Sequence, residues 1–116
     1  MNKLLKSAFD AEMQIAKNLF NTADFKMCFH HLERAHILGQ RNAIPHTVNH
    51  WWMLKVGLKL HDSHEVRGQL LRILVAGIGS IFGRVPIGNT GGANIGIMQT
   101  MPIPPDLQEI FIRLNR

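Results

Sequence analysis

Apolar residues recur at steps of three and four along most of the first 82 residues of this chain, and no other feature limits its folding options as much. In residues 3–21, Leu5, Phe9, Met13, Ala16 and Phe20 fall on one side of a helix, a spacing that a strand of period two would split between its faces. Phe25, Cys28, Leu32 and Ala35 mark a second helix over about 24–39, with "NTAD" at 21–24 as turn and N-cap and Gly39 as the stop. A third, over about 45–60, opens with Pro45, whose missing N–H costs nothing in a first turn. "HDSH" at 61–64 makes the next turn. Asp62 and Glu65 then form a capping-box pattern at the head of a fourth helix over about 64–82.

Beyond residue 84 the texture changes. "RVPIGNTGGANIGIMQTMPIPP" is rich in Gly and Pro, holds a turn signal in "NTGG", and scatters single apolar residues rather than striping them. It predicts an ordered loop lying over the helices, followed by a short helix over 106–114. The expected architecture is all-α: one domain over 1–116, a four-helix bundle-like body with a Gly/Pro-rich covering loop and a C-terminal helix. A chain of 116 residues can bury a core, and 46% hydrophobic with 18% charged residues fits a globular fold.

Several functional classes lose ground on composition. The apolar run at 70–82 is shorter than the ~20 residues of a membrane span and carries Arg72. "MNKLLKSAFDAE" turns acidic before any signal-peptide core develops, so a cytoplasmic location is expected. The one cysteine, Cys28, cannot close an intrachain disulfide and suits a reducing compartment. Net charge is +5, yet Lys and Arg are scattered and the chain has no tyrosine, so it lacks the interleaved basic and aromatic residues of a nucleic-acid surface. No nucleophile elbow or P-loop is present; "GNTGG" has no Lys-Ser/Thr after it.

Histidine is the unusual count: seven, all between positions 30 and 64. Helical spacing aligns Glu33, His36 and Gln40 on the second helix, His46, His50 and Met53 on the third, and Glu65, Gln69 and Arg72 on the fourth. If neighbouring helices run antiparallel, His36 and His46 meet near their shared turn. Glu-x-x-His and His-x-x-x-His both let two ligands reach one ion from consecutive turns. The expected site is therefore a divalent transition metal (zinc, iron, manganese or copper) held by His36, His46 and His50, with Glu33 as a fourth ligand or supporting carboxylate. Glu65 joins only if the start of the fourth helix can approach, and it has a rival role as a cap. Any catalysis would run at that metal, through an activated water or iron–oxygen chemistry. Taken singly, each motif also fits a polar helix edge. Arg34 and Arg72 are expected to pair with the carboxylates, and His30, His31, His61 and His64 to be solvated. One of Trp51 and Trp52 is expected in the core and the other partly exposed or at an interface.

The blocks "LERAHILGQ", "HTVNHWWML", "EVRGQLLR", "PIGNTG" and "PIPPDL", spread over about 11–107, resemble a small bacterial family catalogued as a domain of unknown function, number 3703. The matching positions are Glu33, Arg34, His36, Gln40, His46, His50, Glu65, Gln69 and Arg72, with Asn89 and Thr90 in the loop. That resemblance implies a polar site between helices and assigns no reaction. A rival lies in "ADFKMCFHHLERAHIL", which is similar to the second helix of a tetratricopeptide repeat and would make the chain an adaptor for a protein partner; the 34-residue period does not recur downstream. Finally, the 70–82 run is apolar on more than one face, which predicts burial on all sides and hence a homodimer.

Overall fold

The computed structural model describes residues 1–81 and 85–114, without the side chains of 76–81. It is all-helical: α1 (Lys3–Asn21), α2 (Phe25–Gly39), α3 (Ala43–Lys59), α4 (Ser63–Ile81) and α5 (Pro105–Leu114), with no strand among the described residues. Within the apolar 70–82 run, residue 82 and the side chains of 76–81 lie outside what is described, as does the start of the expected loop at 84. Residues 85–104 contain turns and no helix.

The α1 stripe buries Leu5, Phe9, Met13 and Ala16 against Cys28, Leu32 and Ala35 of α2, and Met53 and Val56 of α3 complete the same core. Consecutive helices pack antiparallel because their connections are short. Glu12 of α1 accepts from Arg34 Nε (2.9 Å) and His31 Nδ1 (2.7 Å) of α2, and Asn49 of α3 donates to the Leu32 carbonyl of α2 (2.8 Å). Arg34 continues to Asp106, holding α5 to the same end, where Leu107 enters the core. Arg34 thus pairs with Glu12 and Asp106 rather than with Glu33. His31 is half-buried beside Glu12 instead of solvated, because that carboxylate faces α2 across the hairpin. His30 and His61 are exposed, as is His64, whose ring reaches the Ala93 carbonyl. Trp52 stacks edge-on against Phe20 at the core margin, whereas Trp51 is exposed.

Two helix ends differ in their physics from the sequence expectation. Gly39 is the last helical residue and buried, and a Cβ there would sit 2.7 Å from the Phe9 ring; it is required for close approach of α1 rather than for a left-handed cap. α3 begins at Ala43, so Pro45 is its third residue, still within the turn whose N–H groups have no intrahelical partner. At the head of α4, Asp62 Oδ1 accepts from the Glu65 N–H (3.0 Å), but the Glu65 carboxylate does not return the bond. The Asp62 N–H goes to Gly57 O instead, which leaves Glu65 available for other partners. No helix among the described residues is long and apolar enough to cross a membrane.

Candidate metal centre

His36, in the last turn of α2, and His46 and His50, one turn apart in α3, point their Nε2 atoms at one another. The three nitrogens form a nearly equilateral triangle: 3.0 Å from His36 to His46, 3.2 Å from His36 to His50 and 3.0 Å from His46 to His50. The antiparallel α2–α3 pairing creates the convergence, since the end of one helix and the start of the next share a level. All three are buried, at 3%, 8% and 2% exposure.

The proton positions follow from the partners. His36 Nδ1 lies 2.6 Å from the Asn89 carbonyl oxygen, which only accepts, so that nitrogen carries the proton and Nε2 is bare. His50 Nδ1 lies 2.6 Å from Gln69 Oε1. The Gln69 amide is itself oriented, because its Nε2 donates to Glu65 Oε2 (2.7 Å) and to Gly91 O (2.9 Å). Hence His50 Nε2 is bare as well. Two lone pairs face each other across 3.2 Å, and a single proton from His46 cannot relieve both of its contacts and the third. Imidazolium formation would relieve them, but burial, reinforced by the neighbouring histidines, pushes His36 well below the ordinary histidine value and His50 down to about 3. The arrangement suits a cation other than a proton.

Residues 89–95 touch this cluster and the side chains that support it. Gly91, at φ +85°, lies flat on the His36 ring, so that a Cβ there would meet the ring carbons and stand 2.9 Å from its Nε2. Asn89, 2% exposed, holds the turn together: its Oδ1 accepts from Gly91 N–H (2.8 Å), and its Nδ2 donates to Gly96 O (3.0 Å) and Gln99 O (2.8 Å). Arg72 Nη2 donates to Ile95 O (2.8 Å) and Nη1 to Gly68 O (3.3 Å), so it ties the loop to α4 instead of pairing a carboxylate by hydrogen bond.

Of the five residues that the sequence singles out, the fold brings together His36, His46 and His50; Glu33 and Glu65 stand outside the group. Glu65 begins α4, at the far end of the α3–α4 pair from His46, and its carboxylate holds Gln69 Nε2 and the Ala93 N–H (3.0 Å). It acts on His50 at one remove, through Gln69. Glu33 is half-buried and lines a cavity of about 400 Å3 together with Glu65, Phe25 and Phe29. Burial pushes its carboxyl up, a hydrogen bond with Thr90 opposes this, and the Glu65 charge pushes it further up. Cys28 is fully buried, its thiol pushed up to about 11 first by burial and then by Asp24, which removes thiolate ligation. The supporting roles of Gln69 and Asn89 escape motif reading, because an amide beside an imidazole has no characteristic spacing and a backbone carbonyl has no letter.

Gln69→Leu tests the support. It leaves the buried His50 Nδ1–H without its acceptor and frees the ring to change tautomer. Should the cluster hold a metal, its affinity is expected to fall 10–100-fold, about what loss of such an outer partner costs. Competition with a chromophoric chelator reads the change, and unaltered affinity would show that Gln69 does not orient the ring.

No curated protein and no solved structure matches the chain. The residues that build this centre, from Glu12 behind α2 to Asn89 and Arg72 around the histidines, all lie within residues 3–111, which match the family model described as "Protein of unknown function (DUF3703)", and the chain belongs to that family.

Proposed function

We propose that this protein binds a divalent transition metal through His36, His46 and His50. One observation carries the reading: the Nε2 atoms of His36 and His50 sit 3.2 Å apart, while their Nδ1 atoms face the Asn89 carbonyl and Gln69 Oε1. The donor set supports zinc, iron, manganese or copper, with imidazole nitrogens favouring zinc and copper. The triangle supports it too. Its centre is about 1.8 Å from each nitrogen, close to the 2.0–2.1 Å typical of zinc–imidazole bonds, so the three rings could hold one ion together. In this reading α1–α4 act as one bundle, the segment after α4 is its cover, and the protein works in the cytoplasm, where Cys28 stays reduced.

The test is elemental analysis of protein purified without a histidine tag, beside His46→Ala/His50→Ala. The wild type is expected to carry one metal per chain and the variant none. Adding the right metal at a hundredfold excess over its Kd should stabilise the wild type by about 2.7 kcal/mol, a shift of several degrees in Tm. If the untagged wild type carries no metal and gains no Tm with zinc, iron, manganese or copper, the adaptor reading with a protein partner replaces this one.

A second observation supports self-association. Ile44, Val48 and Trp51 stand exposed on the outer face of α3, opposite its histidines, and Leu70, Leu71 and Leu74 on the outer face of α4. The face fits a second copy of the chain. Light scattering should return twice 13.1 kDa, and Trp51→Glu/Leu74→Glu should return that mass itself. A wild-type mass of 13.1 kDa at high concentration would reject the dimer.

A further inference from the structure

Resting on the metal reading, we infer that the ion at His36, His46 and His50 keeps one coordination position that the chain does not fill, and that this position takes a small exchangeable anion. Geometry comes first. Three nitrogens spaced 3.0–3.2 Å apart all lie on one side of an ion bound at ordinary length, and its opposite side faces away from the three rings. A fourth ligand has to approach from there.

Among the described residues, no fourth His and no carboxylate or thiol joins the three imidazoles. Glu65 Oε2 is engaged by Gln69 Nε2 and the Ala93 N–H, Glu33 bonds to Thr90, and Cys28 lies in the apolar core. A four-coordinate ion here resembles in donor count the three-ligand sites that keep an open position, rather than the closed four-ligand structural sites.

Charge then decides the kind of ligand. Three neutral imidazoles cancel none of a divalent ion's charge. Arg72 adds a guanidinium close enough to act electrostatically on both His36 and His50. Such an excess of positive charge is costly in a site where no ligand is more than 8% exposed. A neutral fourth ligand leaves the excess in place, whereas a monovalent anion removes part of it. The same burial restricts size: azide, cyanate or a similarly small anion fits the description, and a bulky phosphoester does not.

Cobalt(II) makes the position visible. The full-length wild-type protein is stripped of metal, loaded with one equivalent of cobalt(II), and titrated with sodium azide at constant ionic strength while the visible d–d bands are followed. The expected result is a saturable change in band position and intensity, one azide per cobalt, with half-saturation on the order of 1 mM. Stoichiometric cobalt whose bands ignore azide far above that concentration means a closed coordination sphere and overturns this inference while leaving the metal reading intact. Failure to take up cobalt, together with zinc, iron, manganese and copper, overturns both.

Discussion

Lowering the pH of the metal-free protein from 7.5 to 5.5 is expected to cost on the order of 3 kcal/mol of unfolding free energy, shared between His36 and His50. Burial first, and then the neighbouring histidines, hold both rings below the ordinary value near 6.5, with His50 at about 3. The unfolded chain therefore takes up protons that the folded chain excludes. Their contribution is complete above about pH 6.5 and is lost progressively as pH falls from there toward 3. Urea unfolding in the presence of a chelator, at half-unit pH steps, measures it through the midpoint at constant slope. His50→Gln should reduce the pH-dependent loss by about half, since one of the two excluded protons no longer exists. A stability that stays level between pH 7.5 and 5.5 would mean that the cluster accepts protons within the fold, and the cation argument would lose its footing. Bound metal should steepen the profile, because every ligating nitrogen must be bare.

Asn89→Ala should damage both stability and the histidine cluster. The side chain makes three hydrogen bonds inside a buried turn, to Gly91 N–H, Gly96 O and Gln99 O. At about 1 kcal/mol each, their loss destabilises by about 3 kcal/mol. The larger consequence is local. Asn89 supplies, through its own carbonyl, the acceptor that fixes the His36 tautomer, so a displaced turn releases that ring and metal affinity should drop 10–100-fold. Asn89→Asp is expected to be worse than Ala, because it presents a carboxylate oxygen to two carbonyl oxygens where an NH2 donated before. Urea melts and chelator competition on the two variants decide the matter. An Asn89→Ala protein within about 0.5 kcal/mol of wild type, with unchanged affinity, would show that the turn is held by other contacts.

The helices were legible because their cause is local. The three- and four-residue steps of Leu5, Phe9, Met13 and Ala16, or of Cys28, Leu32 and Ala35, put apolar side chains on one face whatever follows in the chain, and those faces meet in the core. The meeting of His36 with His46 and His50 was legible for a related reason. They are 10 and 14 positions apart, across one short turn, and an antiparallel hairpin leaves little choice about which residues share a level. Glu33 shows where that reasoning stops. It lies one turn from His36 on the same helix, yet its carboxyl is engaged by Thr90 and lines a cavity with Glu65. Spacing fixes where a Cβ stands and leaves the direction of a long side chain to whatever partner arrives.

The partners that decided the site came from far along the chain. Gln69 is 19 residues from His50 and Asn89 is 53 from His36, and both contacts depend on how α4 and the segment after it settle on α2 and α3. Sequence by itself determined the helical period, the shared core faces and three imidazoles near one turn. Only the tertiary structure decided which ring nitrogens carry protons, that Glu65 acts through an amide instead of directly, and that Gly91 can lie against the His36 ring. Those outcomes turn on ångström-scale approaches between segments with no local relation, and no periodicity in the sequence encodes such distances.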